Sequence, residues 1–339
     1  MSLSQRLQRE WLAGGPLVQL LRPLAALYGL LLRIHSRRVT PQTLPVPVIV
    51  VGNWIVGGAG KTPTTLALLG LLKTMGIRAG VISRGYGRAA DAVALVGSTS
   101  TATEVGDEPL LIHLRSGVPV AVGRDRVAAA RALLRAHPAL QILISDDGLQ
   151  HLRLPRALAV LVFDDRGIGN GRLLPAGPLR QPPATTLAAN ELVLYNAARP
   201  STPLPGFMAQ RSLSGAVALA DWWQGQPASM ATLHALRGKP LVATAGMAQP
   251  QRFFDMLTEQ GLDFEALPLA DHDAFATLPW PPATADVLLT EKDAVKLRPE
   301  RTEIADSATR IWVVTLDFQP EHAFEQALRD RLAVLLPTT

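Results

Sequence analysis

The sequence predicts an α/β fold: a parallel sheet with helices on both faces, and a second, smaller α/β domain joined by a short linker. Short apolar runs alternate with helix-like stretches along the chain, and a segment rich in proline and serine, "RPSTPLPG", interrupts the alternation at residue 199. The 339 residues, 48% of them hydrophobic, suffice to bury one large core or two moderate ones.

The alternation sets the order of the predicted elements. Before the interruption they are "VPVIVVGN" (strand), residues 61–75 (helix), "RAGVISRG" (strand), "DEPLLIHLRSG" (helix), "VPVAVG" (strand), "RDRVAAARALLRAH" (helix), and the strands "LQILISDD", "LAVLVFDD" and "ELVLYN". After it, "PLVATAG", "PQRFFDMLTEQG", "ADVLLTEKDAVKL" and "RIWVVTLDF" resume the pattern. The predicted boundaries are 1–40 for an N-terminal helix, 41–200 for the first domain, 201–225 for a hinge and 226–339 for the second domain.

Positive charge is concentrated at the N-terminus. Residues 1–40 hold six arginines and one acid, which gives the whole formal charge of +5, whereas the other 299 residues carry 27 basic and 27 acidic side chains. This distribution argues against a broad basic surface for nucleic acid.

The absence of cysteine excludes disulfides, thiolate catalysis and cysteine-based metal sites, and it suits a reducing compartment.

The N-terminal segment is predicted to lie on a membrane surface as an amphipathic helix. Its apolar run, Pro23 to Leu32, has ten residues, whereas a spanning helix needs about 20. Arg37 and Arg38 follow the run where a signal peptide would have a cleavage site. The alternative is a helix packed on the protein's own core, and the concentrated charge favours the membrane. The apolar residues at helical spacing are Leu17, Leu20, Leu21, Leu24, Leu27, Tyr28 and Leu31.

A glycine-rich loop between the first strand and the first helix of the α/β region predicts a nucleotide site. The loop, here called the phosphate loop, comprises Val56, Gly57, Gly58, Ala59, Gly60, Lys61, Thr62 and Pro63. In this context backbone N–H groups can surround phosphates, with Lys61 on the β- and γ-phosphates and the Thr62 hydroxyl on Mg²⁺. Ile55 departs from the standard pattern, which has glycine there. A glycine-rich turn with an incidental lysine is the alternative, but strand, glycines, Lys-Thr pair and helix all agree with a nucleotide site.

A pair of acids predicts the metal side of this site. Asp146 and Asp147 end the apolar strand "ILIS", where a phosphate-loop protein needs a carboxylate for its metal ion. Asp-Asp-Gly is also a good turn sequence, and the phosphate loop decides in favour of the metal. His151, four residues further on, is either a neighbour of this site or a solvated helix residue.

Six segments together resemble the tetraacyldisaccharide 4′-kinase family of Gram-negative bacteria. They occur in order between residues 48 and 296: "GNWIVGGAGKTP", "ISRGYGR", "VGDEPLL", "ISDDGLQH", "GNGRLLPAGPLR" and "LLTEKDAVK". The family's phosphate loop likewise lacks the first glycine, and an arginine-rich N-terminal helix suits the family. Each segment is short, but the ordered set is highly specific.

The resemblance implies a lipid kinase that uses ATP and Mg²⁺. It would transfer the γ-phosphate to the 4′-hydroxyl of an acylated glucosamine disaccharide 1-phosphate and give lipid IV-A, in lipid A biosynthesis. The resemblance further implies a peripheral position on the cytoplasmic face of the inner membrane and two α/β/α domains on a two-stranded linker, the second closing over the site. No nucleic acid and no obligate protein partner is expected.

Residue roles also follow from the resemblance. Asp107 of "GDEP" would be the catalytic carboxylate and His272 its partner, Lys61 and Thr62 would serve the nucleotide and metal, and Asp146 and Asp147 would lie beside the metal. Ser83, Arg84, Tyr86 and Arg180 would line the site. The residues alone predict other roles. They predict that Asp107 is a helix N-cap and that His272 is an ordinary surface or core histidine. Arg126 is a candidate phosphate contact, although arginine is common in helices.

Some positions depart from the family. Gln181 stands where the family has glutamate after the arginine, and the family's "DHH" reads Asp271, His272 and Asp273. Two other functions stay open from the sequence. One is a deviant phosphate-loop ATPase at the membrane surface, against which Val56 counts because that group has its signature lysine there. The other is a non-catalytic membrane-surface protein that binds nucleotide.

Overall fold

The computed structural model describes residues 3–88 and 90–336, and the side chains of residues 3–6 and 8, Arg6 among them, lie outside the description. The chain forms two compact units, each built from separate segments. Unit 1 comprises residues 1–84, 123–210 and 319–339, and unit 2 comprises residues 85–122 and 211–318.

The described residues form helices and strands in alternation. The helices are α1 (Leu3–Ala13), α2 (Pro16–Arg38), α3 (Lys61–Thr74), α4 (Ala102–Val105), α5 (Asp107–Ser116), α6 (Arg126–Ala136), α7 (Leu219–Trp223), α8 (Met230–His234), α9 (Gln251–Glu259), α10 (Glu291–Ala294), α11 (Thr302–Ala305) and α12 (His322–Leu335). The strands are β1 (Val48–Gly52), β2 (Ala79–Ser83), β3 (Ala94–Val96), β4 (Val120–Val122), β5 (Ile142–Asp146), β6 (Leu158–Asp164), β7 (Glu191–Asn196), β8 (Phe207–Ala218), β9 (Leu241–Ala245), β10 (Glu265–Pro268), β11 (Asp286–Thr290) and β12 (Arg310–Pro320).

Unit 1 contains a parallel sheet whose strands lie in the order β8, β7, β6, β1, β5, β2. Every residue of β1, β2, β5 and β6 is buried, as expected of parallel strands covered by helices on both faces. Strand β1 lies between β5 and β6, so the loops that follow these three strands emerge at one edge of the sheet. The α/β prediction is confirmed.

Unit 2 contains its own parallel strands, in the order β10, β9, β11, β12, with β12 next to β8. Helix α9 presents Phe253, Phe254 and Leu257 to a core that it shares with β9, β11 and β12. Strands β3 and β4 form an antiparallel pair. Helix α5 packs against α10, which directly follows β11.

The unit boundaries differ from the predicted domain boundaries. Residues 85–122, predicted to lie in the first domain, belong to unit 2, and the C-terminal helix α12 belongs to unit 1. Most of the predicted hinge, 201–225, is strand β8 and helix α7. The reason is that α5 packs on α10, so this segment has its partner in a distant part of the sequence.

The N-terminal helices pack on the rest of unit 1, next to the segment that leads to Arg180. The Trp11 indole donates a hydrogen bond to the Pro175 carbonyl (2.9 Å), and the Tyr28 hydroxyl donates to the Arg180 carbonyl (3.0 Å). The helical part of this segment is longer than its uninterrupted apolar run. Within the described residues, α2 is 23 residues long and apolar enough to cross a membrane by length and composition, a test that buried core helices and signal sequences also pass. Length and composition therefore do not decide whether α2 contacts a membrane.

Candidate functional site

The phosphate loop follows β1 in unit 1 and ends in the first turn of α3. Gly57 and Gly60 adopt positive φ angles of 94° and 97°, which side chains with a Cβ rarely allow. Gly60 is the N-cap of α3, and Lys61 is its first helical residue. The first-turn N–H groups of a helix have no carbonyl partner within it, so this end of α3 can bind an anion.

Ile55 has a structural role that explains why it is not glycine. Its side chain is 2% exposed, and its backbone forms a β-bridge with Leu179. On either side, Val56 N–H donates to the Pro178 carbonyl (2.9 Å), and Arg180 N–H donates to the Trp54 carbonyl (2.7 Å). The segment before Gly57 is thus paired with residues 178–180, and the Ile55 side chain packs in the core. The tight turn is confined to residues 57–60.

Lys61 lies within a polar cluster at the carboxyl end of β1. Its ammonium donates to the Asn53 side-chain oxygen (3.3 Å) and to the Gly57 carbonyl (3.3 Å), and it lies 3.8 Å from the Asp147 carboxylate. These contacts hold the ammonium beside the loop.

Arg180 joins the same cluster from the other side. Its guanidinium donates to both carboxylate oxygens of Asp147 (2.9 and 3.2 Å) and also contacts the backbone and side-chain oxygens of Asn53. Burial raises the pKa of Asp147, but Lys61 and Arg180 outweigh it and leave the pKa below the ordinary value. Asp147 also has a positive φ of 50°, a strained conformation that surrounding contacts must maintain.

Asp146 and Thr62 complete the predicted metal residues. Asp146 is 1% exposed and accepts a hydrogen bond from the Thr65 hydroxyl (3.0 Å), while Thr62 is buried in the first turn of α3. Among the described residues there is no group of three or more acidic, histidine or cysteine side chains that could hold a metal. A Mg²⁺ ion bound with ATP needs only one or two carboxylates, because phosphates and water supply the rest. The oxygen donors present fit such an ion.

The other predicted residues of unit 1 fall into three smaller groups. Arg126 is 5% exposed and donates to the Gly123 carbonyl (2.8 Å), and Gly123 N–H donates to the carbonyl of Ser83. The Gln150 amide donates to the Gln181 side-chain oxygen (3.1 Å). His151 lies 3.9 Å from Asp125; burial and then the Arg126 charge lower its pKa. Arg84 is exposed.

Unit 2 contains the predicted catalytic pair. The Asp107 carboxylate and Nδ1 of His272 are 2.8 Å apart, although 165 positions separate them in the sequence. Asp107 is 6% exposed and is the first residue of α5, where Gly106 is the N-cap, so the capping role expected from the residues alone is wrong. The ring of Tyr86 lies 5.3 Å from the ring of His272.

The surroundings of this pair favour its charged forms. Burial raises the pKa of Asp107, but the hydrogen bond and charge of His272, with Lys292 and Lys296, outweigh it and lower the pKa. The hydrogen bond to Asp107 raises the pKa of His272 against the opposing effects of burial and Lys292. His272 has a positive φ of 60°, and in the described residues only Asp147 and Phe275 share this conformation among non-glycines. Strained backbone of this kind is concentrated at functional sites.

Sequence reasoning missed four residues that contact these groups. Asn53 binds Lys61 and Arg180; Arg166, anchored on the buried Asp164, donates to the Gly58 carbonyl (2.9 Å); Asn196 donates to the Ala59 carbonyl (2.8 Å). Each lies at or just after the end of a strand that carries the site, and that position was the available signal. The fourth, Lys292, lies in unit 2, 3.5 Å from Nε2 of His272.

The two clusters have distinct chemical capacities. In unit 1, a helix N-terminus, Lys61 and two acids suit a nucleotide triphosphate with its metal ion. In unit 2, a buried carboxylate held by an imidazole suits the acceptance of a proton from a hydroxyl group.

Comparisons with known proteins agree with this combination. The profile of the tetraacyldisaccharide-1-P 4′-kinase family matches residues 17–333. Tetraacyldisaccharide 4′-kinase of Methylibium petroleiphilum is 58% identical over 337 residues, which cover 98% of this chain and 94% of that protein. The enzyme of Leptothrix cholodnii is 50% identical over 344 residues, with 99% and 98% coverage. A crystal structure of LpxK from Aquifex aeolicus in complex with ATP superposes with a TM-score of 0.76 at 25% identity and covers 94% of this chain and 99% of that one.

Proposed function

This chain belongs to the tetraacyldisaccharide-1-P 4′-kinase family, and we propose that it transfers the γ-phosphate of ATP to the 4′-hydroxyl of tetraacyldisaccharide 1-phosphate in lipid A biosynthesis. The products are ADP and lipid IV-A. The observation that carries the proposal is the presence of a complete phosphate loop with Lys61 together with a buried carboxylate, Asp107, hydrogen-bonded to His272.

The chemical step needs charge stabilisation and a base. The 4′-oxygen bonds to the γ-phosphorus while the bond from that phosphorus to the β–γ bridging oxygen breaks and ADP departs. Lys61 stabilises the charge on the phosphates, and Asp107 accepts the proton of the 4′-hydroxyl. His272 donates through Nδ1 to Asp107 and so fixes the carboxylate during the transfer.

Mg²⁺ is the metal ion we propose for the nucleotide. Thr62 and the carboxylates of Asp146 and Asp147 would hold it, and its charge would neutralise the phosphate oxygens. Thr65 orients Asp146 for this role, and Arg180 with Lys61 keeps Asp147 ionised at neutral pH.

The membrane surface is the proposed source of the lipid substrate. The large apolar residues that α2 leaves exposed include Leu20, Leu24, Leu27, Leu31 and Ile34, with exposed fractions of 40–75%. They recur every three or four residues, so they form one stripe along the helix. The buried residues Val18, Ala25 and Gly29 lie on the opposite side and face unit 1. We propose that the stripe enters the cytoplasmic leaflet of the inner membrane, with the arginines on its anionic headgroups.

One experiment tests the function directly. Purified protein is incubated with ATP, Mg²⁺ and detergent-dispersed tetraacyldisaccharide 1-phosphate, and the lipid is examined for a second phosphate at the 4′ position. The wild-type chain should produce the bisphosphorylated lipid, and Lys61→Ala and Asp107→Asn should not do so at comparable rates. Rapid ATP hydrolysis without the lipid would instead favour an ATPase, and ATP binding without either reaction would favour a non-catalytic protein.

A further inference from the structure

The segment "LLTEKDAVK" lies beside the catalytic pair, and the proposed reaction uses none of its residues. It spans β11, α10 and the residues that follow. At its centre Asp293, with no exposed surface, accepts hydrogen bonds from the Thr290 hydroxyl (2.7 Å), the Gly246 N–H (3.0 Å) and the Lys296 ammonium (2.9 Å). This network fixes the backbone from which Lys292 projects.

The Lys292 ammonium lies among the charged groups of the adjacent segments. It donates to Asp271 (2.9 Å), lies 3.5 Å from Nε2 of His272, at the outer limit of a hydrogen bond, and lies 3.9 Å from Glu108. Burial lowers its pKa, but Glu108 and Asp271 outweigh this effect and leave the pKa above the ordinary value. Lys292 is therefore a cation at any pH at which the kinase works.

The protonation of the imidazole follows from its two neighbours. Asp107 is ionised, because its pKa is lowered, and a carboxylate only accepts hydrogen bonds, so Nδ1 of His272 must carry a proton. An ammonium group has donors and no acceptor, so in the neutral ring it faces the lone pair on Nε2. The Asp271 carboxylate lies 3.9 Å from the same nitrogen. The charged groups around the ring are Asp107, Asp271 and Lys292, with Glu108 and Lys296 behind them, and the Tyr86 ring lies alongside.

We propose that Lys292 is a positioning residue for phosphoryl transfer: its ammonium, anchored on Asp271, opposes protonation of Nε2 of His272 and favours the ring orientation in which Nδ1–H donates to Asp107. This inference rests on the proposed function. Without Lys292, Nε2 would protonate at higher pH, and the resulting imidazolium would lower the basicity of the carboxylate that accepts the 4′-hydroxyl proton. The ring would also lose a contact that fixes its orientation. The strained backbone of His272 also helps to position the ring, because it limits the directions in which the ring can point.

A simpler role for Lys292 is an ion pair with Asp271 and Glu108 that stabilises the loop without affecting His272. The two roles differ in their effect on the imidazole. An ion pair alone would leave the titration and tautomer of His272 unchanged, whereas a positioning lysine controls both. The test therefore measures the titration and the tautomer of the His272 imidazole directly.

The experiment compares four proteins by NMR of ¹⁵N-labelled histidine: wild type, Lys292→Met, Lys292→Arg, and Lys73→Met as a matched loss of an exposed lysine in α3. The His272 signals are assigned by their loss in His272→Ala. In wild type, neutral His272 should carry its proton on Nδ1. Lys292→Met should raise the pKa of His272, because a nearby cation is removed, and should mix the tautomers. Lys292→Arg and Lys73→Met should resemble wild type.

Kinetics provide the second readout. Lys292→Met should lower kcat at least about tenfold with an unchanged KM for ATP, and should move the acid limb of the kcat–pH profile to higher pH. Lys292→Arg should restore most of the rate. If Lys292→Met does not fold, Lys292→Gln carries the same measurements.

The failure of this inference can be distinguished from failure of the proposed function. Unchanged His272 titration and tautomer in the neutral Lys292 variants would overturn the inference, whatever the kinase activity. The expected NMR changes in a protein that phosphorylates no lipid would overturn the proposed function and leave the link between Lys292 and His272 in place.

Discussion

The Asp107–His272 contact allows a sharp test at the level of single residues. Asp107→Asn should lower kcat by at least about a hundredfold, because general-base assistance is typically worth 10²–10⁴-fold. At pH 8.5, where the ion pair with His272 contributes little, the melting temperature should change little, because Gly106 and not Asp107 caps α5. Since the two side chains act in one step, adding His272→Ala should cost little more. Steady-state kinetics of the single and double variants measure this coupling.

The control for this experiment is ATP binding, which each variant should retain. Near-normal turnover by Asp107→Asn would show that Asp107 is not the base, and Asp147 would then be the next residue to test. Strict additivity of the two substitutions would show that His272 does not act through Asp107.

The same pair predicts a pH dependence of stability. The pKa of His272 is raised above its ordinary value of 6.5, so its contribution is complete below that pH and is lost as pH rises through the folded-state pKa. The pKa of Asp107 is lowered below 3.8, so its contribution is present above that pH and is lost as pH falls through the folded-state pKa. The melting-temperature difference between wild type and His272→Gln should therefore be largest between these values, near pH 5, and should shrink by pH 8.5. A difference that grows with pH would contradict the ion pair.

Gln181, which stands where the family has glutamate, is predicted to have little effect on the rate of phosphoryl transfer. Its side-chain oxygen accepts from Gln150, and a glutamate there would keep that acceptor. Lys61, Asp146 and Asp147 are all present, so we expect Gln181→Glu to change kcat less than about tenfold. That limit corresponds to the free energy of about one hydrogen bond. Steady-state rates at saturating ATP and lipid measure it. A gain of a hundredfold or more would indicate that the wild-type chain is an impaired kinase.

Sequence patterns could predict some of these residues and not others, for a physical reason. Lys61, Asp146 and Asp147 lie in short motifs whose chemistry is local to a strand end or a helix start. Asp107 and His272 are separated by 165 positions, so only the resemblance linked them, and from the residues alone Asp107 read as a cap. Arg166 and Asn196 act through contacts with loop carbonyls across the sheet, which no local pattern encodes.

At the level of elements, α2 presents its exposed leucine stripe on the side away from unit 1. Replacing Leu20, Leu24, Leu27 and Leu31 with glutamine should abolish co-sedimentation with vesicles that contain anionic lipid, because burial of each leucine is worth about 1.5–3 kcal/mol. ATP affinity should not change, because Val18, Ala25, Gly29 and the Tyr28 hydroxyl still hold the helix on unit 1.

The matched control for this variant is Val334→Gln, an 80% exposed apolar residue on α12, which should leave sedimentation unchanged. Point substitutions are preferable to deletion of residues 1–38, because deletion would also remove the contacts of Trp11 with Pro175 and of Tyr28 with Arg180. Equal sedimentation of the four-leucine variant and wild type would refute the membrane role of the stripe.

Elements with strong hydrophobic periodicity were predicted well, and β8 was not. The helix predicted at 61–75 is α3, Lys61–Thr74, and the buried strands β1, β2, β5, β6 and β7 lie where the apolar runs placed them. Strand β8 lies inside the predicted hinge, because the preceding "RPSTPLPG" is typical of a linker and the strand itself is only partly buried. Its burial depends on pairing with β7 and β12, which is information from elsewhere in the chain.

At the level of the whole molecule, the chain order of the units was the least predictable feature. The chain leaves unit 1 after residue 84, returns at 123, leaves again after 210 and returns at 319. The sequence alone predicts a single boundary between the domains. Strands β2 and β4 both have the apolar composition of ordinary buried strands, so nothing marks a change of unit between them. The packing of α5 on α10 and the contact of Asp107 with His272 join residues 85–122 to the rest of unit 2.

This division predicts that nucleotide binding and proton transfer can be separated by mutation. The groups proposed to hold ATP all lie in unit 1, whereas Asp107, His272 and Lys292 all lie in unit 2. Lys61→Ala should weaken ATP binding about 10- to 100-fold, since a charged hydrogen bond is worth about 1.5–3 kcal/mol, and should also lower turnover. Asp107→Asn and Lys292→Met should bind ATP like wild type and lose turnover alone. Calorimetric titration with a non-hydrolysable ATP analogue, beside the kinase assay, tests each variant. Weakened ATP binding in both unit 2 variants would mean that these residues contribute to the nucleotide site, and the assignment of the proton-transfer step to them would have to be withdrawn.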